Sequence, residues 1–291
     1  MSIIPSVRAA ADPSYDAVAE QSAAVVIRNY SSSFGLASRL LAEPVRTHVC
    51  NVYALVRIAD EIVDSPDPGL DVVTRDDLLR RLQDDTHHAF RSGRSSNLVV
   101  HAFTATARAV GIGIDLVDPF FSAMRTDLHV TEHDAASLER YIYGSAEVVG
   151  LMCLRAFLAD EVTGAGYDEL AAGARRLGAA FQKINFLRDL GEDYRLLGRT
   201  YFPGSDLATF SDERRDAILD DIDADLAVAA SAIPRLPASS QRAVAAAYTL
   251  FDELARRLRA TPAERIAVQR VRVPGPTKAR LLSRVLIRGI A

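Results

Sequence analysis

The chain has 291 residues, 49% of them hydrophobic and 25% charged, with a formal net charge of -4. That length is ample for a buried core, the composition is that of an ordered globular chain, and the mild negative charge argues against general nucleic-acid binding. Two cysteines, Cys50 and Cys153, cannot form a disulfide framework and read as reduced core thiols, while Lys183 and Lys278 are the only lysines among 34 basic residues. Arginine therefore carries nearly all the positive charge, which suits bidentate contact with phosphates.

Residues 1–13 contain two prolines and little periodicity, and read as a loose arm ahead of a single domain over 14–291. Helical periodicity starts at Tyr15 and runs to Tyr30, where Ser31 to Phe34 interrupts it, because serine side chains bond neighbouring backbone groups. Beyond Pro44 the spacing predicts a helix over 45–63, ended by Ser65-Pro-Asp-Pro-Gly69. Further helices are expected at 74–91, 97–110, 115–128 and 134–157. The pattern resumes through Gln182 to Asp193, then over 211–232 and 241–259, and a basic closing helix falls within Arg270 to Arg288. The acidic run of Asp216, Asp220, Asp221, Asp223 and Asp225 reads as an outer, solvated face.

Alternating strand patterns are nearly absent, so the fold class is all-α, a helical bundle. Gly111-Ile-Gly113-Ile-Asp115 lacks the third glycine and the preceding strand of a dinucleotide site, and no Walker-type element occurs. His129 and His133 lack a third ligand pattern and read as a solvated turn. No signal-peptide pattern or membrane-length apolar run is seen, so a cytoplasmic location is expected.

Two stretches carry the chemistry. In Tyr53 to Asp64, Tyr53, Arg57, Asp60 and Asp64 are spaced four, three and four, which places them on one helical face. In Gln182 to Asp193, Gln182, Asn185, Asp189 and Asp193 are spaced three, four and four. One acidic pair at i,i+4 says little, since it is usually a solvated face. Two such helices, each flanked by Arg, Asn or Gln, suggest facing walls that hold a hard cation and a diphosphate, because crowded carboxylates repel unless a cation sits between them. Tyr248 lies on the apolar stripe of the 241–259 helix and is expected to face inward.

Arg57-Ile-Ala-Asp60-Glu-Ile-Val-Asp64 and Asn185-Phe-Leu-Arg188-Asp189-Leu-Gly-Glu-Asp193, followed by Gly198-Arg199-Thr-Tyr201-Phe-Pro203, resemble the two aspartate-rich signatures of the squalene and phytoene synthase family. Ser31-Ser-Ser-Phe34 and Tyr141-Ile-Tyr143-Gly-Ser-Ala-Glu147-Val-Val-Gly150 are similar to two further family blocks. The resemblance runs from about Tyr30 to the C-terminus. It implies a single-domain bundle of the isoprenoid (terpenoid) synthase type with a central cavity, and two to three Mg2+ ions held by Asp60, Asp64, Asp189 and Asp193.

Ser31, Phe34, Tyr53, Arg57, Gln182, Asn185, Arg199, Tyr201 and Tyr248 are then expected around an allylic prenyl diphosphate, with Tyr141 and Glu147 in catalytic roles. Two prenyl diphosphates would join head to head, without NADPH, as in carotenoid biosynthesis in bacteria. An alternative transfers a prenyl group to an aromatic acceptor such as a carbazole in a natural-product pathway, and a non-catalytic helical protein is a third reading. The sequence departs from the family pattern at Glu147, a position commonly glycine. A carboxyl there needs an Arg partner, a cation to stabilise or a polar acceptor substrate. Long prenyl products and the Arg-rich C-terminus suggest at most peripheral membrane contact.

Overall fold

A computed structural model describes residues 14–30, 33–65, 67, 69–159, 166–205 and 207–288, leaving aside the side chains of 33, 34 and 288. Within these residues the chain is helical throughout, and its β-structure amounts to one isolated parallel bridge between Glu132 and Thr200. The helices are α1 (Tyr15–Tyr30), α2 (Ser33–Ser38), α3 (Val45–Asp64), α4 (Val72–Ser92), α5 (Leu98–Val110), α6 (Ile114–Thr126), α7 (Ala135–Ile142), α8 (Val148–Phe157), α9 (Tyr167–Leu197), α10 (Asp212–Ala232), α11 (Ala238–Arg259), α12 (Ala263–Ile266) and α13 (Gly275–Arg288). A π-helical turn, Tyr143–Glu147, joins α7 to α8.

Local chemistry explains the segmentation. The side chains of Asp71, Asn97, Asp134 and Ser211 each accept a hydrogen bond from a first-turn backbone amide, capping α4, α5, α7 and α10. Gly111 ends α5 in the left-handed conformation and Gly113 precedes α6, so the Gly-Ile-Gly-Ile-Asp stretch is a helix-to-helix turn. Prolines at 274 and 276 hold the start of the closing helix at Gly275, five residues later than the basic run begins, and residues 267–274 cross the surface without helical form beyond a short turn.

α3 packs on α1, α5, α4, α6 and α8, whereas α9 packs on α10, α8, α11, α12 and the π turn. The two acidic helices therefore both lean on α8. Leu55, Phe103, Phe120, Phe121, Met152, Ile184 and Leu187 are buried in the same core, each worth about 1.5–3 kcal/mol of transfer free energy. The contact between α8 and α9 depends on missing side chains. A Cβ on Gly150 would lie 2.4 Å from the carbonyl oxygen of Ala174, and one on Gly178 would lie 2.5 Å from that of Ala146. Gly178→Ala should destabilise the protein by about 1–3 kcal/mol through forced separation of these backbones, read as a drop in Tm. An unchanged Tm would show that the helices slide apart at no cost.

The expected single helix over 134–157 carries the π turn because Gly144 sits against α6, where a Cβ would come within 2.4 Å of the carbonyl oxygen of Pro119. The wider turn rotates the residues after it relative to a continuous α-helix. The acidic face of α10 is also less solvated than its composition implies. Asp225 is buried and accepts hydrogen bonds from Lys183 and Arg176, so α10 is tied to α9 by an internal charge cluster. Asp220 and Asp223 do face outward, where both meet Arg259.

Candidate active site

Asp60 and Asp64 occupy the last turns of α3, and Asp189 and Asp193 the last third of α9. The two pairs form one electrostatic unit. Burial pushes Asp60 up to about 8, with Asp64 adding repulsion. Burial likewise raises Asp193 to about 7, followed by repulsion from Asp189 on its own helix and from Asp64 across on α3. An isolated solvated face would show neither effect.

Arg199 links the two helices. Gly198, in the left-handed conformation, caps α9 and turns the chain back, and the amide of Thr200 then bonds the carbonyl of Thr131 at 2.8 Å. That bridge carries Arg199 inward, where it is 6% exposed and its Nη1 donates to Asp64 at 2.7 Å. Burial alone would lower its pKa, but Asp127, Tyr201 and Asp64 outweigh burial and hold the guanidinium charged.

Asp127 is the acid that helical spacing missed. It follows α6, is buried, and accepts a hydrogen bond from the Tyr141 hydroxyl at 2.5 Å. Burial raises it to about 7, against the pull of Arg199 and of the Tyr141 hydrogen bond, and its Oδ1 has no partner among the described residues. No periodic signal marks it, because it stands alone just after the end of α6 at Thr126.

Tyr141 and Tyr201 form a stack with neighbours from two other segments. Tyr201 lies 3.8 Å from Phe186 and 5.5 Å from Tyr141 between ring centroids, with His133 at 5.9 Å. His133 is thus buried in an aromatic stack, not in a solvated turn, since the Glu132 to Thr200 bridge pulls its loop inward, while His129 remains exposed. Tyr141→Phe removes the donor to Asp127 and should lower turnover about 10- to 100-fold while leaving the stack intact. Unchanged turnover would make that hydroxyl purely structural.

On α3, Arg57 donates to Glu61 and lies 4.7 Å over the ring of Tyr30, and its buried Nε has no partner among the described residues. Tyr53 is half-buried one turn earlier. On α9, Gln182 and Asn185 are half-buried on the face that leads to Asp189. Asp189 meets Arg188 through paired contacts at 2.9 and 2.5 Å. It also meets Arg270, whose Nε reaches its Oδ1 at 2.8 Å from the crossing segment after α12. Arg270 was expected on a solvated closing helix; instead it borders an open depression of about 560 Å3 beside the second acidic helix.

Tyr248 is half-buried on α11 among residues packed against the core. One turn on, Phe251 stacks on Phe181 with ring centroids 3.8 Å apart. Ser31 and the side chain of Phe34 lie outside the described residues. Glu147 is not brought to the aspartates. It is buried in the π turn, and its Oε2 accepts from Nε of Arg175 at 2.6 Å. Of the three partners that a carboxyl at this position required, the arginine is the one present.

The residues that gather here would suit a divalent cation. Three carboxyls are held high by burial and crowding, and one carries an unpartnered buried oxygen. Among the described residues no three acidic, histidine or cysteine side chains converge as a ready ligand shell. Mg2+ needs no such shell, since it is commonly held through one or two carboxylates, with waters and substrate phosphates completing its coordination.

An all-α bundle whose two acidic helices are coupled through the buried Arg199 has the terpenoid synthase type of fold, and comparison with known proteins places it further. The family model for squalene/phytoene synthase matches residues 27–277, and the chain belongs to that family. It is 31% identical over 195 residues to the 4,4'-diapophytoene synthase of Staphylococcus haemolyticus, covering 66% of this chain and 65% of that protein. It is 30% identical over 184 residues to the chloroplastic phytoene synthase 3 of Zea mays, covering 62% and 42%. The matched stretches thus span less than two thirds of those relatives' own length. Among solved structures, a dehydrosqualene synthase in complex with a ligand superposes with a TM-score of 0.79 at 21% identity, over 93% of this chain and 96% of that one. The squalene synthase HpnC of Alicyclobacillus acidocaldarius superposes at 0.72 and 19% identity, over 86% and 97%. Among the described residues no helix is long and apolar enough to cross a membrane.

Proposed function

We propose that the protein is a Mg2+-dependent prenyltransferase that ionises allylic prenyl diphosphates and joins two of them head to head, in the manner of phytoene synthesis. The single observation that carries this reading is the coupling of Asp60, Asp64, Asp127, Asp189 and Asp193, from three separate segments, around the buried Arg199. Asp60 and Asp64 on one wall and Asp189 and Asp193 on the other would hold the metal, which when bound supplies Lewis-acid charge to the leaving diphosphate.

The chain's own residues have the remaining work. Arg57, Arg199 and Arg270 are placed to give charge-assisted hydrogen bonds to phosphate oxygens, Arg270 exchanging Asp189 for the ligand. The faces of Tyr141, Tyr201 and Phe186 offer π density to an allylic cation and keep water from it. The Tyr141 hydroxyl, hydrogen-bonded to Asp127, is positioned to move a proton at the end of the reaction. The aromatic-acceptor reading gave Glu147 the role of orienting or deprotonating the acceptor, and here one of its oxygens accepts from Arg175 instead.

Incubation with Mg2+ and allylic diphosphates of fifteen or twenty carbons, without reductant or aromatic acceptor, should release diphosphate and yield a linear hydrocarbon. Release that requires an aromatic acceptor, or no release at all, would overturn the reading.

A further inference from the structure

A cavity larger than the depression beside Arg270 lies away from the four helical aspartates. A groove of about 1020 Å3 runs between α7 with the π turn on one side and α10 on the other, floored by α9. At 100° per residue its α9 residues, Arg175, Arg176, Ala179 and Lys183, lie about a quarter-turn round the helix from Gln182, Asn185 and Asp189. Its volume is at the upper end of the roughly 300–1,000 Å3 usual for small-molecule pockets.

Its lining divides by chemistry. Leu138, Ile142, Tyr143, Phe202 and Ile218 supply an apolar wall. Arg140, Arg175 and Arg214 supply positive charge that is incompletely matched. Arg140 is exposed, and neither it nor Arg214 has an acidic partner within ion-pair distance among the described residues; Arg214 donates to Ser205 and to the carbonyl of Pro203. Arg175 meets Glu147 through Nε, which leaves its two terminal nitrogens directed elsewhere. Arg176 and Lys183, by contrast, are taken up by Asp221 and Asp225 of α10 and contribute little. Arg140 and Arg214, with Arg175 shared with Glu147, outnumber Glu139, the one carboxylate of the lining with no basic partner among the described residues, and over an apolar wall, in a protein of net charge -4, they make a local site for an oxyanion attached to a hydrocarbon chain.

We propose that this groove is a second ligand site, taking a soluble single-chain amphiphile with a phosphate-type head. It is separate from the four helical aspartates, none of which lines it, and its occupancy does not depend on the function proposed above. Tyr141 belongs to both places, its ring in the groove wall and its hydroxyl on Asp127, so a ligand here would press on a side chain of the acidic cluster.

The test is calorimetric titration of the full chain with dodecyl phosphate below its critical micelle concentration, in EDTA. One molecule should bind per chain, at least tenfold tighter than inorganic phosphate, and addition of Mg2+ with inorganic diphosphate should not displace it. Arg140→Glu should weaken binding at least tenfold, and Arg214→Gln, which keeps a donor to Pro203, should weaken it severalfold with an unchanged circular dichroism spectrum. Absence of binding in EDTA, displacement by Mg2+ with diphosphate, equal affinity in both variants, or association only with phosphatidic acid vesicles would each overturn the proposal.

Discussion

Asp60→Asn should lower diphosphate release about 10^2- to 10^3-fold, the usual loss when one preorganised charge is removed from a site of this kind. The same variant should alter stability in a way that a surface substitution would not. Asp60 titrates at about 8 in the folded chain, against 3.8 for an ordinary aspartate. Between pH 4 and 8 the folded state therefore holds a proton that the unfolded state has released, and stability falls as pH rises through that window. With Asn in place, the fall should be shallower and should end near pH 7, where Asp127 and Asp193 titrate. Metal binding should release protons and strengthen up to about pH 8 in the wild type, since the ligands must ionise first. Thermal unfolding and Mn2+ titration across pH 5 to 9 measure both effects. Wild-type turnover in Asp60→Asn, or an unchanged stability profile, would remove Asp60 from the site.

Arg199→Met should be the most destabilising single change in the site, costing about 3–5 kcal/mol at pH 8, as expected when one partner of a buried ionic cluster is lost. Asp127 would be left buried with the Tyr141 hydroxyl as its one donor, and Asp64 would lose its link across to the α9 side. The cost should shrink at pH 5, because Asp127 can take up a proton and become neutral. Turnover should be lost at either pH. Urea unfolding at the two values decides the point, and a pH-independent cost would mean that Arg199 contributes packing alone.

The fold class and most helix positions were legible because caps, breakers and apolar periodicity act within a few residues. α1 lies where the spacing put it, and α3 and α10 each differ by one residue. The two acidic faces were legible for the same reason. The π turn was not, since it follows from Gly144 meeting the backbone of Pro119 on another helix. Glu147 could be recognised as needing a partner, yet which partner depended on the register of α8 against α9. His133 read as solvated because nothing in its neighbourhood announces that Thr200 will draw its loop inward.

By itself the sequence determined which side chains share a helical face, and hence that amides and carboxylates line two rods. Local periodicity needs no knowledge of distant residues. Only the tertiary structure decided that Arg199 reaches Asp64 across 135 positions, that Arg270 reaches Asp189 across 81, and that Asp127 joins them. Burial and charge coupling are set by residues far apart in the chain, so the site's electrostatics exist only once the helices have packed.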